Sequence, residues 1–341
     1  MSTSTTTSPL LRHQGAVEGE GADAGVAAHY GDPTREQRLL AEGLAAVDLS
    51  HRGVVTITGP DRLTWLHSMT TQQLTGLGPR QSRETLVLSP KGHVEHALHL
   101  VDDGGTTWIT VEPGTASALV AWLESMRFML RVEVADVTAD WAVLGEPLGA
   151  ESVSGEALAW VDPWPGLVGD TAPYGPVEGH PAQGRAWREL VVPRDGLEVA
   201  LGDRPLAGTW AAEALRVAAW RPRLGFETDH RTIPHELDWL RTAVHLHKGC
   251  YRGQETIARV HNLGRPPRRL VFLHLDGSGH VLPGAGAAVV HADREVGRLT
   301  TVARHHEDGP VALAVIKRSV PGDVDLLAGD CAAAQTVVVT G

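Results

Sequence analysis

Apolar positions along the chain change rhythm every ten to fifteen residues, and each change predicts an element. From Thr34, "TREQRLLAEGLAAV" sets Leu40, Leu44 and Val47 at i, i+4 and i+7, one face of an amphipathic helix. "GVVTITG" then alternates Val55 and Ile57 with Thr56 and Thr58, a short strand. "PDRLTWLHSMTTQQL" returns to helical spacing through Leu63, Leu66 and Thr70, with Asp61 placed to cap it. Three β-like runs follow, "ETLVLSP", "HVEHALHLV" and "TWITVE", broken by Pro-Lys-Gly and Asp-Asp-Gly-Gly turns. "ASALVAWLESMRFML" predicts a helix and "RVEVADVT" a strand.

Residues 163–184 are dense in proline and glycine, which suits a long surface loop or a linker. "WRELVVP" and "GLEVAL" predict a hairpin, and "WAAEALRVAAW" a helix apolar nearly all round and therefore buried. After Pro266-Pro267 the runs "RRLVFLHLDG", "AAVVHADREVGRLTTVA" and "GPVALAVIKRS" predict a small all-β barrel or sandwich. Helices and strands mix without a regular βαβ repeat, so the fold class is α+β. The expected division is a disordered tail over 1–30, an α+β core over 31–265 and a β-barrel over 266–341.

Composition narrows the function classes. With 341 residues the chain is long enough for two or three domains, and 42% hydrophobic and 21% charged residues are globular proportions. A formal charge of −11 disfavours nucleic acid as a partner held by bulk positive charge. The first thirty residues lack the basic start and apolar run of a secretory signal, and no apolar run approaches a membrane span. A cytoplasmic location is expected. Cys250 and Cys331 are the only cysteines and form no C-x-x-C, which argues against a disulfide framework or a thiolate zinc site.

One cysteine has an unusual frame, "HKGCYRGQETIARVH". Gln254 to His261 has helical character, so Cys250 lies just before a helix N-terminus, where unpaired N–H groups favour an anion. Lys248 and Arg252 flank it, and nearby cations lower a thiol's pKa. Gly249 and Gly253 allow tight turns and close approach to a ligand. The alternative is a small buried hydrophobe, the commonest fate of a free cysteine. Glu255 either accepts a ligand hydrogen bond or complements the helix start. From Lys248 to Arg269 there are six cations against Glu255 alone, a cluster able to attract a specific anion or simply to balance acidic neighbours.

"RPRLGFETDHRTIPHELDWL…HKGCYRGQETIARVHNLGRPPRRLVFL" resembles the central signature of the YgfZ family, tetrahydrofolate-binding proteins that support iron–sulfur cluster assembly or repair. That family is related in fold to the glycine-cleavage T-protein, a folate-dependent aminomethyltransferase. The K-G-C-Y-x-G-Q-E motif matches at Lys248, Gly249, Cys250, Tyr251, Gly253, Gln254 and Glu255, and the resemblance covers about residues 35–320. It implies a three-lobed fold around a channel for a reduced folate, a closing barrel, and a functional role for Cys250. Lys248, Glu255 and Glu95 are candidates to assist it, and Tyr251, Arg252, Gly253, Gln254 and Arg259 are candidate folate contacts. Arg216, which precedes the "P-x-x-G-x-E" segment ending in Glu227, is a candidate contact too, with structural ion pairing as its alternative.

The departures bear on activity. T-proteins carry an Asp-Asp pair after a glycine turn, one Asp being the catalytic acid–base group; "KGHVEHALHL" puts Glu95-His96 there. Their pterin-binding Glu is replaced by Arg194 in "LVVPRDGLEV", a reversal of charge. Ala219-Trp220 replaces the usual Ala-Gly. The expected function is therefore a tetrahydrofolate-binding factor with iron–sulfur client or assembly proteins as partners. A folate-dependent one-carbon transferase acting through Glu95 is the alternative enzyme reading, and a binding module whose basic loop holds RNA or a partner protein is a third.

Other constellations are weaker. His93, Glu95 and His99 share a strand face, but His93 and His99 are six residues apart, about 20 Å in an extended strand, too far to share a metal. His245 and His247 could assist Cys250 as bases or be ordinary surface histidines. Trp65, Trp210, Trp220 and Trp239 offer either a pterin stacking surface or core packing. Cys331 has no polar frame and is expected to be structural.

Overall fold

A computed structural model describes residues 7–148, 158–278 and 281–340. In chain order its elements are β1 (Val17–Glu18), β2 (Ala27–His29), α1 (Pro33–Ala41), β3 (Ala46–Asp48), β4 (Gly53–Thr58), α2 (Arg62–Met69), β5 (Ser82–Leu88), β6 (Val94–Asp102), β7 (Thr106–Val111), α3 (Ala116–Met126), β8 (Glu133–Asp136), β9 (Trp141–Pro147) and β10 (Leu158–Val161). There follow β11 (Trp187–Pro193), α4 (Leu197–Leu201), β12 (Leu206–Ala207), α5 (Thr209–Ala218), α6 (Leu240–Ala243) and α7 (Gln254–Leu263). The last are β13 (Arg268–Leu275), β14 (Ala288–His291), β15 (Arg294–His305), β16 (Gly309–Lys317), β17 (Leu326–Ala328) and β18 (Cys331–Val337).

These divide into two compact units: residues 1–87, 96–163 and 186–212 in the first, and 88–95, 164–185 and 213–341 in the second. The first unit holds two five-stranded sheets, ordered β5-β6-β7-β4-β8 and β10-β11-β9-β3-β12. Val55 and Ile57 of β4 pack with Trp65 and Leu66 of α2 and Leu119 and Leu123 of α3 in one core. The segment expected to be a disordered tail is ordered from residue 7: β1 pairs with β2, and Leu10 is buried among Ala46, Leu144, Leu190 and Leu197. Its glycine-rich composition hides apolar anchors, Leu10 and Val26, both fully buried; residues 1–6 lie outside the described part.

Three element readings are corrected. α1 stops at Ala41, because Gly43 (φ +79°) takes the left-handed position of a helix terminator. The amide of Leu44 then bonds the Leu39 carbonyl at 2.8 Å, and that of Gly43 bonds Leu40 at 3.1 Å. Leu44 is thereby exposed and Val47 passes into β3. "GLEVAL" contributes α4, not the second strand of a hairpin, and buries Leu197, Ala200 and Leu201 at i, i+3 and i+4. Asp61 makes no cap hydrogen bond; its carboxylate holds the Arg131 guanidinium at 2.7 Å.

The second unit is built on a closed six-stranded barrel, β13-β16-β15-β14-β17-β18, whose β13 pairs with β18 from Val271↔Val337 to Leu275↔Ala333. Val271, Leu273, Leu299, Ala314 and Ile316 fill it. Cys331 heads β18, its thiol donating to the Asp276 carbonyl at 3.3 Å. The turn between β5 and β6, the start of β6 and α7 belong to this same unit.

Candidate functional site

The motif loop is shaped by its second glycine. Gly253 sits at φ +84° and starts α7. A Cβ there would come within 2.6 Å of the Ser89 carbonyl oxygen and 3.0 Å of the Gly92 Cα. A Cβ on Gly92 (φ +78°) would in turn lie 2.7 Å from Thr256 Cβ. The first turn of α7 is thus laid directly on the β5–β6 turn, backbone against backbone. Gly253 is expected to allow a tight turn and a close approach; the approach the structure shows is to this turn. Gly249 (φ +101°) differs, for a Cβ there would meet nothing within 4 Å.

This contact recruits a distant residue. Glu95, at the start of β6, receives a hydrogen bond from Arg252 Nη1 at 3.0 Å. The side chains are 38% and 31% exposed, so water screens the pair. Between Arg252 and Lys248 the chain alternates. Cys250 is exposed, while Tyr251 is buried. Lys248 is only 8% exposed and carries its ammonium 5.0 Å above the Tyr251 ring. Burial lowers the Lys248 amine from 10.5 to about 8, with Cys250 pulling weakly the other way. Burial likewise pushes the Tyr251 hydroxyl up. The loop therefore presents an accessible thiol backed by a desolvated amine, with an acid–base pair beside it. Gln254 and the exposed Glu255 form the first turn of α7, and Arg259 stands exposed farther along it.

Arg216 and Glu227 do not join this group. They are 7% and 1% exposed and bonded to each other at 2.9 Å. Arg216 also donates to Glu213 and Thr301, and Glu227 accepts from Thr300, Thr301 and the Arg223 amide. Every carboxylate oxygen of Glu227 is engaged, so the pair braces α5 against the barrel strand β15 and leaves no edge for a folate. Of the six motif-region cations, Arg268 is also neutralised, by Asp229 at 2.7 Å and Glu236 at 2.8 Å. Carboxylates outside the segment thus balance Arg252 and Arg268.

Of the flanking histidines, one is engaged by a carboxylate. His247 Nδ1 lies 2.5 Å from Asp170 Oδ2, and the Leu246 amide bonds the Asp170 carbonyl at 2.7 Å, which pins the chain before the loop. Burial lowers His245. His99 bonds Glu189 at 2.9 Å and stacks on Trp160 with centroids 3.6 Å apart. Among the described residues no group of three or more His, Cys, Asp or Glu is placed to hold a metal ion. Trp65 and Trp239 are buried packing, whereas Trp210 is 57% exposed. Arg194, standing where T-proteins place a pterin-binding Glu, gives one terminal nitrogen to the carbonyls of Ser50, Thr138 and Trp141. Sequence reasoning found the Pro-Lys-Gly turn and the helix separately but had no signal that one supports the other, nor for Asp170.

The GCVT N-terminal domain family matches residues 9–145. An aminomethyltransferase of Synechococcus sp. (strain RCC307) is 28% identical over 309 residues, covering 83% of this chain and 81% of its own. A chloroplastic protein of Arabidopsis thaliana, named as a putative transferase, is 26% identical over 308 residues, 83% of this chain and 67% of its own. The crystal structure of glycine cleavage system aminomethyltransferase T from Bartonella henselae superposes on 99% of this chain and 97% of its own, with a TM-score of 0.76 at 21% identity. The fold is that of a glycine cleavage T-protein. At that identity the likeness to the T-protein is one of backbone. The family match begins at residue 9, within the ordered N-terminal segment.

Proposed function

We propose that this chain is a cytoplasmic reduced-folate-binding protein that serves the assembly or repair of iron–sulfur proteins through Cys250. The observation that carries the reading is the loop itself: an exposed thiol fixed between a buried amine and a half-exposed Arg252–Glu95 pair, on a T-protein fold. The donor set suits a reduced folate, whose pteridine amidine edge takes a carboxylate and whose glutamate tail takes guanidinium groups. Glu95, Arg252, Gln254 and Arg259 are the residues of this loop and helix that would hold it, while Arg216 and Glu227 are sealed and do not fit. Bound folate would supply a one-carbon unit or a reduced ring; the chain's own part is to orient it and present the thiol. The partners are the folate and iron–sulfur client or assembly proteins.

The names of the curated relatives favour a second reading, aminomethyl transfer. Against it, Glu95 replaces the expected aspartate, and Arg194 is committed to backbone carbonyls. Titration of the full chain with tetrahydrofolate, followed by tryptophan fluorescence, tests the shared step and should saturate. Cys250→Ala should fold normally and fail to restore iron–sulfur enzyme activity in cells lacking the protein. Full restoration would remove the thiol from the account, and one-carbon transfer abolished by Glu95→Gln would favour the transferase.

A further inference from the structure

The turn that joins α3 to β8 presents its apolar side chains to solvent. Phe128 is 90% exposed and Met129 84%, with Met126 and Leu130 beside them also exposed. Phe128 further lies at φ +44°, in the left-handed region that glycine or asparagine occupies readily and a bulky side chain does not. The amide of Leu130 closes the turn on the Arg127 carbonyl at 3.1 Å, so Phe128 holds its first central position, where a positive φ selects glycine. Both ends of the turn are pinned. Arg127 Nε reaches Glu124 at 3.5 Å, and Arg131 gives Asp61 three hydrogen bonds, from its amide at 2.9 Å, Nε at 3.0 Å and Nη2 at 2.7 Å. The chain thus holds a solvent-facing phenyl ring in an unfavourable backbone conformation, and at that exposure no packing within the chain offsets the strain.

We propose that this tip is the centre of a two-fold interface between two copies of the chain. The charges around it favour that partner. Glu124 and Arg127 precede the tip, and Arg131 with its partner Asp61 follows it, two anions and two cations. A two-fold axis through the tip sets each mixed pair against a mixed pair of the other copy, whereas a strongly acidic or basic partner would meet like charge. With a formal charge of −11 two copies repel elsewhere, and this balanced patch is where they can approach. The edge strand β8 does not make the contact, because paired antiparallel and in register with its own copy it would set Glu133 opposite Asp136. Four apolar side chains with a charged rim give at most about the 800 Å² per partner of a standard interface, so the dimer is weak and reversible.

The test is sedimentation equilibrium of the full chain without folate. Wild type should pass from monomer to dimer with a midpoint between about 1 and 100 µM. Added salt should tighten the association by screening the repulsion between two acidic copies. Phe128→Asn should weaken dimerisation roughly tenfold or more. Val199→Ser, which removes another exposed apolar side chain on α4, should leave it unchanged. In dilute protein, where the copies are apart, Phe128→Asn should melt no lower than wild type, because asparagine accepts the left-handed backbone. A wild type still monomeric at about 100 µM overturns the proposal. So does a dimer that Phe128→Asn leaves intact, or one that Val199→Ser weakens equally. A lower melting temperature for dilute Phe128→Asn would place the ring in the packing of its own chain, with the same consequence. A monomer that instead sediments with phosphatidylcholine vesicles, and loses that binding in Phe128→Asn, would assign the tip to lipid and overturn the dimer.

Discussion

Two arginines show how burial decides what a charge can do. Arg252 meets Glu95 in a half-exposed pair, whereas Arg216 is sealed among Glu213, Glu227 and Thr301. Removing a partner from a screened pair costs about 0.2–1 kcal/mol, but stranding a buried carboxylate costs about 3–5 kcal/mol. Urea unfolding should therefore show Arg216→Ala strongly destabilised and Arg252→Ala nearly normal, with only the latter retaining enough fold to report on binding. Equal losses would mean that Arg216 is not the structural member of the two. The sequence offered both as ligand contacts and left ion pairing open for Arg216, because it shows an arginine's neighbours along the chain and not the Thr300–Thr301 step of β15 that closes over it.

At the scale of elements, the turn between β5 and β6 and the start of α7 work as one piece, held by mutual glycines. Gly253→Ala imposes both a left-handed strain of about 1 kcal/mol and a clash with the Ser89 carbonyl. It should lower the melting temperature and change the alkylation rate of Cys250, by moving the loop. Gly249→Ala carries the strain without the clash and should cost less stability. A Gly253→Ala protein melting like the wild type would dismiss the packing argument. Strands β4 to β8, α7 and the barrel were legible because their periodicity is strong and their turns carry Gly, Pro or Asp. α4 was not, since a five-residue helix shows too few positions to separate period 3.6 from period 2. The order of residues 7–30 was hidden because its anchors, Leu10 and Val26, are scattered among small and polar residues without a helix or strand period. The motif was legible as a unit; its support by Ser89–Gly92 was not, being a contact between stretches more than 160 residues apart.

For the whole molecule, acid stability is set by histidines the site does not use. His180 lies between Trp164 and Trp220 near Arg241, and His235 packs on Tyr174 with His261 nearby. Burial, aided by Arg241 at His180 and His261 at His235, lowers both from 6.5 to about 4. Between those values the unfolded chain binds more protons than the folded one, so stability present above pH 6.5 is lost as pH falls toward 4. Each contributes at most about 3 kcal/mol. The urea midpoint should drop between pH 7 and pH 5, and less steeply in His235→Gln. An identical slope in that variant would show that the buried ring is not the titrating group. No helix among the described residues is long and apolar enough to cross a membrane.

The claim on which everything functional depends is that reduced folate binds beside Cys250. Its most direct measurement is the rate at which iodoacetamide alkylates Cys250 in the full chain, with and without saturating tetrahydrofolate, Cys331 serving as reference. The account predicts that folate slows alkylation at Cys250 severalfold and leaves Cys331 unchanged. Tetrahydrofolate that binds yet leaves the Cys250 rate untouched would contradict it.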